Sequence, residues 1–278
     1  MSPQNLLPPW PESLPSTLAD LLEKEMLLPI GLSVAAYCTD AFLTPNKESR
    51  TGELKRRVMW TSRIETLSVE TARRFVPLGI RFPPQTDPPE ASEALRKVDV
   101  LLSVDSGIRS SVETFVLAIH LIESEGPNYD CSFSDPEIPF SIFLSLPPVG
   151  EANRTLRLLE AVVHETMHLQ LTAFERLTPT VFENGDETWF SPWKKSRRKI
   201  GGILHGMYVF RSLEFMYTAL IASGLLEEVD DVFARRRVNT ITKELGELRG
   251  VEESEALTRA GTTLLRAIMN SGFNCADI

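Results

Sequence analysis

His164-Glu165-Thr166-Met167-His168 sets two imidazoles four residues apart inside the run LRLLEAVVHETMHLQLTAFERL. On a helix, residues so spaced stack one above the other, so both rings point the same way and can grip one metal ion. Glu165 lies about 100° round the helix from His164, near enough to act on a ligand of that metal. The whole chain holds only 4 histidines, which makes the pattern hard to assign to chance.

Two histidines leave a site incomplete, so a third ligand must come from elsewhere. The extended pattern HExxHxxGxxH is absent, because Leu171 and Phe174 stand at its glycine and final histidine. Downstream, His205 in GGILHG and Glu214 in RSLEF are available. If one helix covers 198–222, these two fall on opposite faces and only one can be the ligand. Gly201 and Gly202 precede His205 on its side, where missing side chains permit close approach, and Arg198 lies two turns before it on the same face. His205 is therefore preferred, with Glu214 kept as the alternative and otherwise read as a buried or capping carboxylate. Glu160, one turn before His164, is placed to accept an imidazole N–H. His120 is read as a packed residue rather than a ligand.

Such a site admits three readings. In a zinc peptidase, Glu165 is the general base that activates metal-bound water. In an iron(II) oxygenase, three ligands on one side leave room for a 2-oxo acid and dioxygen, and an arginine can clamp the distal carboxylate. In a non-catalytic peptide-binding protein, a fourth protein ligand closes a purely structural site. Spacing alone leans slightly to the peptidase.

The elements that must position these residues read as mainly helical. Residues 1–15 carry five prolines around Trp10 and form an extended arm. Helices are expected at about 16–27, 53–75, 90–102 and 106–126, the last on the stripe Ile108, Val112, Phe115, Ile119 and Ile122. Residues 140–146 alternate bulky and small as a strand, and as an exposed edge it offers a platform for an extended peptide. Asn153 suits an N-cap for the helix that carries the motif and runs to about Glu175, with Leu156, Leu159, Val163 and Met167 as its buried stripe. Residues 176–197 read as a loop, a lid or substrate wall whose Trp189, Phe190 and Trp193 supply apolar contacts or anchor it to the core. Helices follow at about 198–222, 226–246 and 252–270. The sum is a mainly α fold: a single helical domain over 16–278 with a small β element next to the HExxH helix, and the metal site within 140–217.

Composition bounds the rest. With 278 residues and 42% hydrophobic content the chain can bury a sizeable core. A net charge of −9 argues against general nucleic-acid binding, which relies on neutralising phosphates. No apolar run has the length of a membrane span and no signal peptide is evident, so a cytoplasmic protein is expected. Cys38, Cys131 and Cys275 are far apart and read as free thiols. Oligomeric state leaves no trace in the sequence.

Three segments together, SFSDPEIPFSIFLSLP, LLEAVVHETMHLQLT and FSPWKKSRRKIGGILHGMYVF, resemble the HExxH-motif peptide-modification family, the 2-oxoglutarate/iron-dependent peptide β-hydroxylases of ribosomal peptide biosynthesis. The likeness covers about residues 128–217. It implies iron(II) held by His164, His168 and His205, the histidine of LHG. It also implies that the basic residue after SPW and the following arginine are Lys194 and Arg198, with Arg198 holding 2-oxoglutarate and Arg197 as the alternative. Implied partners are dioxygen and a precursor peptide. Glu165 then orients ligands or handles protons, while Trp193 and Phe190 stand as substrate contacts.

Overall fold

The computed structural model describes residues 60–84, 89–124, 126 and 129–270. The expected arm at 1–15, the helix at 16–27, Cys38 and Cys275 lie outside these residues. Within them the fold is mainly α with small sheets, as expected. The helices are α1 (Val69–Arg73), α2 (Pro89–Leu102), α3 (Ser106–Phe115), α4 (Arg154–Leu177), α5 (Ile200–Ser223), α6 (Glu228–Gly246) and α7 (Arg259–Asn270). Strands β1 (Ala118–Ile122), β2 (Ser132–Asp135) and β3 (Ile138–Ser145) form one sheet, and β4 (Thr188–Ser191) and β5 (Ser196–Lys199) form a hairpin.

Helix α4 is the centre of this arrangement. Leu156, Leu159, Val163 and Met167 are all fully buried, the stripe its period predicts. Burying each such side chain contributes roughly 1.5–3 kcal/mol, which holds the neighbouring, histidine-bearing face in place. Packed against α4 are α2, α3, β3 and α5, and α6 packs against α5. Helix α5 is apolar nearly all round and ends at Gly224, whose φ of 68° is the left-handed cap that favours glycine.

Four expectations are corrected. Residues 60–75 are not one helix: a 3-10 turn at Trp60–Ser62 is followed by extended backbone before α1. The cause is tertiary pairing, because Glu65 N–H donates to Ile119 O at 2.9 Å and Ile119 N–H donates to Arg63 O at 2.7 Å. Those bonds lay the segment along β1. Second, the helix expected through 126 stops at Phe115, and 118–122 is a strand. Every residue of β1 is buried, so it shows no polar alternation to set it apart from a helix.

Third, the strand expected as an exposed edge is central. The order is β1-β3-β2, with β1 parallel and β2 antiparallel to β3. Among the described residues, β2 is the outer strand next to the site. Fourth, the loop expected at 176–197 contains β4 and most of the β4–β5 hairpin, turned through Lys195 at φ 51°. Helix α5 therefore begins at Ile200, and Arg198 belongs to β5. No helix among the described residues is long and apolar enough to cross a membrane.

Candidate metal centre

Helix α4 presents His164, Glu165 and His168 to a cleft of about 580 Å³, and α5 presents His205 to the same space. The rings of His164 and His168 meet edge to face at 4.9 Å, and those of His168 and His205 are stacked at 5.5 Å. Nδ1 of His168 and Nδ1 of His205 are 3.2 Å apart. Two ligands each about 2.0–2.1 Å from one ion, at ordinary coordination angles, stand roughly 3.0–3.4 Å from each other.

The other nitrogen of His205 is engaged. Its Nε2–H donates to Glu175 Oε2 at 2.7 Å, and the Thr180 hydroxyl donates to the second carboxylate oxygen. With that proton on Nε2, the lone pair of a neutral His205 is left on Nδ1, aimed at His168. His168 is neutral at neutral pH: burial, reinforced by His164, His205 and Lys194, pushes it down to about 3. With the His205 proton on Nε2, the 3.2 Å contact is His168 Nδ1–H donating to His205 Nδ1, and a divalent cation would take that proton's place between two neutral imidazoles. The donor set therefore fits a metal chemically.

The complete three-histidine shell is not displayed. Among the described residues no group of three or more His, Cys, Asp or Glu side chains is gathered as a metal site. The His164 ring lies edge to face with Phe210 at 5.9 Å and with His168 at 4.9 Å.

Glu165 is buried on the cleft side, and Oε1 accepts a hydrogen bond from the Ser132 hydroxyl of β2 at 2.7 Å. Strand and motif helix are thus joined at the residue between the two histidines. Around the rim stand Lys194 and Arg198, both exposed, while Trp193 forms an apolar wall with Phe210 at 4.9 Å between ring centres. Trp193 lies so close to α5 that a Cβ on Gly206 would fall 2.0 Å from its ring. The glycine of LHG is explained by that contact.

Strand alternation separates the two arginines. Arg198 pairs across the hairpin with Trp189 and faces the cleft, where it passes beside Gly202. Arg197 faces the other way and donates to Thr188 Oγ1 at 3.0 Å. Phe190 shares the Arg197 side, is 52% exposed and does not line the cleft.

Two carboxylates named from the sequence do other work. Glu214 is 2% exposed, accepts hydrogen bonds from Arg211 and Thr242, and does not line the cleft, so the alternative third ligand is corrected. Glu160 accepts from Tyr217 at 2.7 Å and from Arg237 Nε at 3.0 Å rather than from His164. It ties α4 to α5 and α6. His120 is packed as expected: its ring lies 4.9 Å from that of Phe143 and Nδ1 bonds the Glu65 carbonyl at 3.0 Å.

The sequence reading missed Glu175 and Ser132. Glu175 lies two turns after His168 on the same face of α4, a signal that was present. Ser132 has no such signal, since only the sheet brings it to Glu165. No family model matches the chain, and no curated protein matches it.

Proposed function

We propose that the chain is an iron(II)/2-oxoglutarate-dependent hydroxylase acting on the β-carbon of a residue in a ribosomally made precursor peptide. The observation that carries this reading is the pair of facing nitrogens of His168 and His205, 3.2 Å apart in a cleft that His164 and Arg198 also line. The resemblance of the three sequence segments to peptide β-hydroxylases supplies the reaction class. Bound iron(II) with 2-oxoglutarate supplies oxidation by dioxygen: one oxygen atom enters a C–H bond of the peptide, and the other enters succinate as carbon dioxide leaves the oxo acid.

His164, His168 and His205 would hold the metal. Arg198, with a planar guanidinium suited to a carboxylate, binds the far end of 2-oxoglutarate, and Lys194 adds positive charge beside it. Glu165, fixed by Ser132, holds a proton or orients a metal ligand. Trp193, Phe210 and Phe140 exclude water from one side of the cleft. A peptide substrate suits the outer position of β2, whose residues Ser132–Asp135 border the cleft and can pair with an extended chain.

A zinc peptidase is the second reading, favoured by Glu165 itself, a buried carboxylate on the cleft wall. Oxygen dependence separates the two. Product formation by the iron-loaded protein stops under anaerobic conditions if it is a hydroxylase; unchanged product without dioxygen, or a cleaved peptide, overturns the reading.

A further inference from the structure

We propose that Glu175 is the positioning residue of this centre: it fixes the tautomer and ring orientation of His205, so that an unprotonated Nδ1 faces His168. The inference rests on the metal reading of the cleft for its consequence, but its geometry stands apart from any metal.

A histidine can bind a metal through either nitrogen, and the hydrogen bond made by the other nitrogen decides which. In His205 that bond is Nε2–H to Glu175 Oε2 at 2.7 Å. The bond leaves Nδ1, 3.2 Å from Nδ1 of His168, as the only lone pair of a neutral ring. A free imidazole in water exchanges between tautomers and rotates about its side-chain bonds. A charge-assisted bond to a held carboxylate removes both freedoms.

Glu175 is itself held. The hydroxyl of Thr180 donates to Oε1, leaving Oε2 for His205. Thr180 is 1% exposed, and its carbonyl accepts from Thr258 N–H at 2.9 Å. At the start of α7, Gly261 packs so close that a Cβ there would stand 2.0 Å from that carbonyl oxygen. The chain therefore runs from the C-terminal helix through Thr180 and Glu175 to His205. A carboxylate at a helix end with no such duty would be expected in water; this one is drawn in.

The test uses the full-length protein, freed of metal, with Glu175→Ala, Glu175→Gln and Thr180→Val. Two readouts are taken: the tautomer of His205 from nitrogen NMR, and the affinity for cobalt(II) from its visible absorption, with circular dichroism to confirm the fold. Nε2–H is expected to dominate in the unaltered protein and to give way to a mixture in Glu175→Ala. Cobalt(II) binding should weaken on the order of 10- to 100-fold in Glu175→Ala, and less in Glu175→Gln, whose amide oxygen still accepts the N–H. Thr180→Val should weaken it by a smaller factor. An unchanged tautomer in Glu175→Ala, or unchanged cobalt(II) affinity despite a changed tautomer, overturns the proposal. Failure of the metal reading looks different: the unaltered protein binds no cobalt(II), while the tautomer still responds to Glu175→Ala and the positioning role stands.

Discussion

Nδ1 of His168 and Nδ1 of His205 face each other across 3.2 Å, although 37 residues separate them in the chain. Burial keeps His168 neutral and Glu175 keeps the proton of His205 on its far side, so His205 Nδ1 accepts from His168 Nδ1–H at the point where a cation would replace that proton. In the proposed reading, side chains from α4 and α5 would together hold a cation that neither helix could hold alone.

Arg198 and Arg197 should separate cleanly by function. Arg198→Ala is expected to raise the KM for 2-oxoglutarate on the order of tenfold or more, the worth of a charge-assisted bond to a carboxylate. Arg197→Ala, which loses only bonds to Thr188 across the hairpin, should leave that KM within about twofold. Steady-state kinetics with varied 2-oxoglutarate would show it, and equal effects of the two substitutions would contradict the assignment.

Gly206→Ala places a methyl group into the Trp193 ring. The expected cost is about 1–3 kcal/mol in chemical denaturation, the usual penalty for overpacking. Because the clash is with one side chain, Trp193→Ala in the same protein should remove most of it. Additive effects in the double variant would mean that the two residues do not touch.

Glu160→Gln should destabilise the fold by about 2 kcal/mol, because a half-buried Arg237 and the Tyr217 hydroxyl lose a shared acceptor of full charge. Metal affinity should remain within about twofold. A large fall in affinity with stability intact would instead restore Glu160 as a prop for His164.

How much of this was readable in the sequence depended on how local the cause was. Helix α4, its buried stripe and its histidine face follow from a period of 3.6 residues, and they are in place. Asn153 does start α4, but with φ 56° and its side chain bonded to Asp230 at 2.8 Å rather than capping the helix. Strand β1 was lost because its apolar run pairs with β3, a partner beyond the reach of any local window, and because burial on both faces removes the polar alternation. The β4–β5 hairpin was hidden by a turn at Lys195 in place of the usual glycine or asparagine. Within the site, His205 and Arg198 are legible from residue type, although Arg198 reaches the cleft from a strand and not from the expected helix. Ser132 was not legible, since its bond to Glu165 exists only once the sheet lies against α4.

His120 should give the stability a pH dependence unrelated to the centre. Burial pushes its imidazole down to about 4 in the fold against 6.5 when exposed, so the unfolded chain binds more protons between those values. Stability is therefore fully present above pH 6.5 and falls as pH drops towards 4, by roughly 3 kcal/mol at most. Denaturation curves across this window should show a slope to which His168 adds and the buried Glu65, raised to about 7, is opposed, and His120→Phe should shift it by the share of His120. A slope that persists unchanged in that variant would assign the acid sensitivity to other groups.

The central claim is tested most directly by the fate of molecular oxygen. The protein is loaded anaerobically with iron(II), given 2-oxoglutarate and a candidate precursor peptide, and exposed to isotopically labelled dioxygen; peptide and succinate are then weighed by mass spectrometry. The account predicts a peptide heavier by one labelled oxygen atom and one succinate for each peptide hydroxylated. A peptide cut in two, or one modified with oxygen drawn from water and no succinate formed, would contradict it.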